Sequence, residues 1–275
     1  MLREGLTGHL LIYQGEKFMF NYKEAILSLL PICDEFVICE CFSDDGTYEE
    51  CLALARQYPE IRIIRHPWQS EEEEKGYEYR RLARLTDLCT EESRTKWFGY
   101  IQGDECLHED GLEEIKYVVR RKEVPNSPRA ISIPYHHFVC NMSTTWPFVY
   151  QSSIRFGWKD STWRALEDAW TLRCSRKEDA LVYPASHARM FHYGFALGGS
   201  MARMQKEKNL QLAFQALGFP DPKVIAMADG DRPVSNAYLF QDAKDKGLFR
   251  PFEGTHPAVM KQWIEDHRQY EEVFA

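Results

Sequence analysis

Asp104 and Glu105 stand side by side at the end of an apolar, aromatic run, Trp97-Phe98-Gly99-Tyr100-Ile101-Gln102-Gly103, and this is the strongest chemical signal in the chain. An apolar strand has no packing use for two adjacent carboxylates at its carboxyl end. A hard cation does: Mg2+ or Mn2+ takes one or two protein carboxylates and fills its octahedron with diphosphate oxygens and water. Helix capping would explain one of the two carboxylates but not both. A second polar cluster, Ser43-Asp44-Asp45-Gly46-Thr47, follows one apolar run and precedes a helical one. Its backbone amides could meet a phosphate, and Glu40, Asp44 or Asp45 could accept hydrogen bonds from a base or ribose. The same five residues also make an ordinary turn followed by a helix cap.

The elements that must hold these clusters alternate. Gly8–Tyr13, Glu35–Cys41, Ile61–Arg65 and Trp97–Gln102 read as strands. Asn21–Leu30, Tyr48–Gln57 and the arginine-rich Tyr77–Cys89 read as the helices between them. Strands separated by helical stretches predict βαβ units and a mostly parallel sheet, with any ligand beyond the strand carboxyl ends. Both polar clusters fall there.

The second half is organised differently. Ala130–Tyr135, Phe148–Phe156 and Asp179–Tyr183 read as strands in a region dense in His136, His137, Trp146, Trp158, Trp163, Trp170, His187 and His192. Such a surface suits a hydroxylated, partly apolar ligand such as a sugar, and equally an aromatic core. Ser200–Leu217 reads as a helix, Gly218–Asn236 as a Pro- and Asp-rich connection, and Pro257–Glu272 as a last helix capped by Thr255. We therefore expect an α/β half over 1–125, an aromatic-rich half of the same domain over 126–200, and a helical extension over 201–275.

Bulk composition sets limits on this picture. A chain of 275 residues that is 44% hydrophobic can fill the core of one large α/β domain. Its net charge of −8 gives no general attraction to nucleic acid or anionic membrane, although Arg80, Arg81, Arg84, Arg120, Arg121 and Lys122 could form local basic patches. The eight cysteines include no CxxC pair, and scattering through apolar runs is the pattern of reduced thiols in a cytoplasmic protein. Cys39-Glu40-Cys41 comes nearest to a metal spacing, but successive strand residues face opposite ways. Leu10–Tyr13 is too short for a signal peptide or a spanning helix.

The order of motifs resembles the family-2-type glycosyltransferases of GT-A fold, closest to a bacterial and phage-like subgroup. The matching pieces are Asn21 and Glu24 in the first helix, Glu40 with Ser43-Asp44-Asp45-Gly46-Thr47 after the second strand, and Tyr100-Ile101-Gln102-Gly103-Asp104-Glu105 as a DxD-like signature. Leu107-His108-Glu109-Asp110, Glu167-Asp168-Ala169, Phe191-His192-Tyr193-Gly194 and Gly254-Thr255-His256-Pro257 extend the likeness over most of the chain. It implies a Rossmann-type central sheet flanked by helices, nucleotide-sugar binding by the 1–125 half, an aromatic acceptor side in the 126–200 half, and transfer of a sugar from a nucleotide-diphosphate sugar, UDP- or GDP-linked, to a hydroxyl of a sugar or glycan, with inversion. Carried over by position, Glu40 and Asp45 face the base and ribose, and Arg80 or Arg81 reaches base or phosphates. Asp104 is the main Mn2+ or Mg2+ ligand, Glu105 a second ligand or an orienting neighbour, and His192 completes the metal shell. Asp168 is the general base, with Glu167 and then Asp160 as alternatives. Gln102 and Gly103 line the donor site, and Gln102 departs from the pattern, since an amide is a poorer cation ligand than a carboxylate. Other readings of the same residues are a nucleotidyltransferase, for which Tyr13-Gln14-Gly15-Glu16-Lys17 is a poor phosphate loop, and a non-catalytic nucleotide- or sugar-binding module.

Overall fold

The computed structural model describes residues 2–68, 81–121, 126–147, 151–166, 168–197 and 245–271. The expected Ser200–Leu217 helix and Gly218–Asn236 connection lie outside the described residues, as do Arg80 and Glu167. The chain begins with β1 (Arg3–Ile12), α1 (Tyr22–Leu29), β2 (Glu35–Glu40), α2 (Thr47–Gln57) and β3 (Ile61–Arg65). It continues through α3 (Arg81–Glu92), β4 (Thr95–Tyr100), β5 (Glu105–Leu107), α4 (Leu112–Arg120), β6 (Ala130–Val139) and β7 (Thr144–Thr145). Then follow β8 (Ser152–Trp158), β9 (Arg164–Leu166), β10 (Thr171–Arg173), β11 (Val182–Pro184), β12 (Met190–Phe195), β13 (Arg250–Pro251) and α5 (Lys261–His267).

Strands β3, β2, β1 and β4 lie side by side, all parallel. Beyond β4 the sheet continues through antiparallel β8 to β6, β7 and β13. The result is the expected α/β class, a mostly parallel central sheet flanked by helices. Period-2 alternation sends Phe36 and Ile38 to a face covered by α1, α2 and α4, where they meet Ala25, Ile26, Cys51, Leu54, Ile115 and Val118. On the other face Cys39 and Cys41 meet Leu85 and Cys89 of α3. The two thiols of Cys39-Glu40-Cys41 therefore share a face, because alternate rather than successive residues do so, and only Glu40 points away. All eight cysteines are unpaired thiols.

Several elements differ from the sequence reading. Helix α4 and strands β5 and β12 were not expected; three-residue β5 is a strand through β12, which in turn pairs with β6. The C-terminal helix is not capped by Thr255. Instead the carboxylate of Glu109 accepts from Ala258 N–H at 3.1 Å, a contact made across the chain and invisible to local pattern. Met260 and Trp263 from this last segment pack on Phe138, Phe191 and Tyr193, so the aromatic density of the second half is largely a core.

Two close approaches align the centre of the sheet. Across β4 and β8, Phe98 faces Gly157 and Gly99 faces Phe156. A Cβ on Gly99 would stand 2.5 Å from the Phe156 ring, so only glycine lets that ring lie on the neighbouring strand. At the rim, Glu114 of α4 gathers the turn that leads into β12, accepting from the N–H groups of Ser186, His187 and Ala188 at 2.8 Å and from the Ser186 hydroxyl. Partial burial would raise its pKa, but these donors outweigh that and hold the carboxylate down to about 2. Because the folded value lies below the ordinary 4.5, this anchor contributes stability above about pH 4.5 and loses it as pH falls toward 2. We predict that Glu114→Gln flattens the dependence of urea stability on pH across that window, as followed by circular dichroism; an unchanged slope would assign the acid sensitivity elsewhere.

Candidate active site

The loops after β1 and β2 meet at the carboxyl edge of the sheet, and there the Ser43–Thr47 turn is consumed by its neighbour. Ser43 Oγ accepts from Gln14 N–H at 3.0 Å, Thr47 Oγ1 from Gly15 N–H at 2.8 Å, and Asp45 Oδ2 from Lys17 N–H at 2.8 Å. Asp45 Oδ1 also accepts from Thr47 N–H at 3.1 Å, and despite the opposing effect of desolvation these donors lower its pKa. Glu40 is fully buried, accepting from Ser43 N–H at 2.6 Å and pairing with Arg65 at 2.7 Å. Both carboxylates were expected to face a base and ribose. In the structure Glu40 is enclosed by Ser43 N–H and Arg65, whereas Asp45 is half-buried and accepts from loop amides, bonds that leave a carboxylate able to accept further donors. The guanidinium of Arg65 in turn lies 4.1 Å from the ring centres of Phe42 and Tyr48. Arg81 is buried, with its guanidinium 5.2 Å from the Trp68 ring, which itself stacks on Tyr13 at 4.8 Å.

Asp104 and Glu105 separate sharply. Glu105 begins β5, is wholly buried, and forms an ion pair with Arg155, which is also wholly buried. Its Oε1 accepts from Tyr135 OH at 2.8 Å and its Oε2 from Gln102 N–H at 3.0 Å. As a metal ligand it is therefore corrected to a structural carboxylate, since a buried anion so enclosed already has its compensating cation and donors. Asp104, one residue earlier, keeps a side-chain exposure of 10% and lies with Oδ2 3.9 Å from Nε2 of His192.

Strand β12 makes that meeting possible. Its His192 is registered against Glu105 of β5 on one side and His137 of β6 on the other, and Tyr193 N–H donates to the Asp104 carbonyl at 2.7 Å. Nδ1 of His192 lies 3.2 Å from Nδ1 of His137, whose ring stacks on Tyr135. If Nδ1–H of His192 donates there, its Nε2 lone pair is left facing Asp104. Gly194 completes the cradle: a Cβ on it would stand 2.7 Å from His192 Nε2 and 3.0 Å from Asp104 Oδ2. A carboxylate oxygen and an imidazole nitrogen across a gap kept clear by glycine fit a divalent cation that takes its remaining ligands from a diphosphate and water. Among the described residues no group of three His, Cys, Asp or Glu side chains is arranged to hold a metal, so the chain offers this pair rather than a full cage.

Gln102 and Asp168, far apart in sequence, touch. Gln102 Nε2 donates to the Asp168 carbonyl at 3.2 Å, and Gln102 Oε1 accepts from Arg155 at 3.2 Å. Asp168 lies in a tight turn, its Oδ1 accepting from Trp170 N–H at 3.3 Å, and the next residue, buried Ala169, has φ of 63°. Ala169 O accepts from Tyr100 OH at 2.7 Å and from Arg155 at 2.8 Å.

Arg155 is the site residue that sequence reasoning missed. Pairing of β6 with β8 jumps from Ile131 opposite Phe156 to Ser132 opposite Ile154, leaving Arg155 as the extra residue of a bulge. The bulge turns its side chain inward, beneath the Tyr100 ring at 4.4 Å. An arginine within the apolar strand Ser153-Ile154-Arg155-Phe156 was the available signal, because a charge there needs a partner of opposite sign. We predict that Arg155→Met lowers urea stability by about 3–5 kcal/mol, and that adding Glu105→Gln restores part of it by removing the orphaned anion. Additive losses in the double variant would mean that the two charges do not depend on each other.

No protein-family model matches the sequence, and no curated protein does. The fold outline is similar to that of S. aureus TarS 1-349 in complex with UDP-GlcNAc, at 11% identity and a TM-score of 0.36, over 48% of this chain and 35% of that one. For TarS 1-349 in complex with UDP the values are 9% and 0.42, over 79% and 66%. The mannosyltransferase PcManGT from Pyrobaculum calidifontis, in complex with GDP-Man and Mn2+, is 11% identical with a TM-score of 0.40, over 97% of this chain and 84% of that one. The chain spans between about a third and two thirds of the TarS structures it matches. Identities and scores this low leave the site to be read from its own residues.

Proposed function

We propose that the chain is a divalent-metal-dependent glycosyltransferase that moves a sugar from a nucleotide-diphosphate sugar to an acceptor hydroxyl, with inversion. The observation that carries this reading is the Asp104–His192 pair, 3.9 Å apart across the space that Gly194 leaves clear, at the carboxyl end of the parallel sheet where α/β proteins bind their ligands. Asp104 and His192 would hold Mn2+ or Mg2+, and the cation would neutralise the departing diphosphate. The donor would be UDP- or GDP-linked, its diphosphate reaching the cation from the side of the β1 and β2 loops.

Asp168 is the proposed base. It sits on a turn held by Gln102, two residues before Asp104. Transfer passes through an oxocarbenium-like state, and a carboxylate on the acceptor side takes the hydroxyl proton as the new glycosidic bond forms. The acceptor would be a sugar or glycan, held on the side of the turn that carries Asp168 and Trp170. The described residues include no helix long and apolar enough to cross a membrane, and eight unpaired thiols, six of them buried, support a reducing, cytoplasmic setting for the proposed activity.

A thermal-shift panel of UDP- and GDP-sugars with and without Mn2+ tests the reading, because a ligand bound only to the native state raises its stability by mass action. A Mn2+-dependent rise is expected with at least one donor. Asp104→Asn and Gly194→Ala should abolish the metal-dependent part, while Asp168→Asn keeps it and loses transfer by about 100-fold or more. A shift that is indifferent to Mn2+ and survives Asp104→Asn would sink the proposal.

A further inference from the structure

Gln102 occupies the position at which the resemblance places a first metal-binding carboxylate, and the structure gives it other work. Its amide combines two roles that a carboxylate cannot: the oxygen accepts from Arg155 and the nitrogen donates to the Asp168 carbonyl, each at 3.2 Å. The next carbonyl, that of Ala169, is held by Arg155 Nη1 at 2.8 Å and Tyr100 OH at 2.7 Å. Two successive carbonyls of one turn are thus tied to groups from β4 and β8. The tie ends on the buried Arg155–Glu105 pair, and Glu105 is the residue next to Asp104.

We infer that Gln102 and Arg155 are positioning residues that hold the Asp168 carboxylate in register with the Asp104–His192 pair, so that Gln102 serves the acceptor side of the reaction and not the metal. The inference rests on the glycosyl-transfer reading above. The physical reason is the turn itself. Ala169 has φ of 63°, a left-handed conformation that costs a non-glycine residue energy and persists only where surroundings hold it. If the turn drifted, Arg155 would lose its hydrogen bond to the Ala169 carbonyl in a fully buried site, where a lost bond is costly. Aspartate at 102 is one methylene too short to bridge both partners. Glutamate would keep Arg155 but set an anion against the Asp168 carbonyl.

The discriminating variant is Gln102→Asp in the full chain, which supplies the carboxylate that a metal-ligand role would favour. Three readouts are compared with wild type: binding of Mn2+ with UDP or GDP by calorimetry, kcat and KM for hydrolysis of UDP-glucose and GDP-mannose with water as acceptor, and hydrogen exchange of a peptide spanning 164–172. Positioning predicts that kcat falls by about 10- to 100-fold, that KM and nucleotide affinity stay within about 2-fold, and that amides 169 and 170 exchange at least about 10-fold faster. Gln102→Glu should show the same split. Tighter Mn2+–nucleotide binding or higher kcat in Gln102→Asp would make Gln102 a weakened metal ligand and overturn the inference, as would unchanged exchange of 164–172. If wild type binds and hydrolyses no donor while exchange responds as expected, the glycosyl-transfer reading fails: the anchoring of the turn survives and its catalytic meaning does not.

Discussion

A buried ion pair organises this molecule. Arg155 and Glu105 are both wholly inaccessible, and taking two such charges out of water costs several kcal/mol each, which only close pairing and full hydrogen bonding can offset. The structure meets that demand from every side. Glu105 accepts from Arg155, Tyr135 and the Gln102 amide; Arg155 donates to Glu105, Tyr135, Gln102 and Ala169 and lies against the Tyr100 ring. The partners come from four separate stretches of chain, around residues 100–105, 135, 155 and 169, so satisfying two charges fixes the relative placement of β4, β5, β6, β8 and the turn at Asp168.

That constraint explains why two adjacent acidic residues have opposite fates. Glu105 is spent on the pair, which leaves Asp104 as the carboxylate at the sheet edge, and β12 brings His192 to it through backbone pairing with β5 and β6. The division is one of burial and partner, not of residue type: the chemistry available to a carboxylate depends on whether a cation already sits beside it. The same logic encloses Glu40, whose oxygens are taken by Arg65 and the Ser43 amide, while half-buried Asp45 braces the loop through the amides of Thr47 and Lys17. What remains facing the opening is a smaller set of groups than motif matching suggests. It is also one better held.

Much of the frame was legible in the chain itself. Alternating apolar runs and helical stretches found β1 to β4 and α1 to α3, Ile61–Arg65 without error and β1 without its first five residues, because period-2 and period-3.6 burial are local properties of a covered sheet. The meeting of the loops after β1 and β2 at one edge followed from the same pattern, since parallel strands deliver their loops to one side. Strands β5 and β12 were not legible. The hydrogen bonds that make them strands come from residues far away in sequence.

Residue types and order alone pointed to the fold class, the acidic character of the strand end and Asp104, while His192 and Asp168 entered only through the resemblance to the glycosyltransferases. Only the tertiary structure decided which acidic side chains remain at the edge, that Arg155 is turned inward by a bulge, and that Gln102 reaches Asp168 rather than standing in for an aspartate. The physical reason is that a buried charge or amide is assigned its role by its partners. Those partners are brought together by long-range strand pairing, which local sequence does not encode.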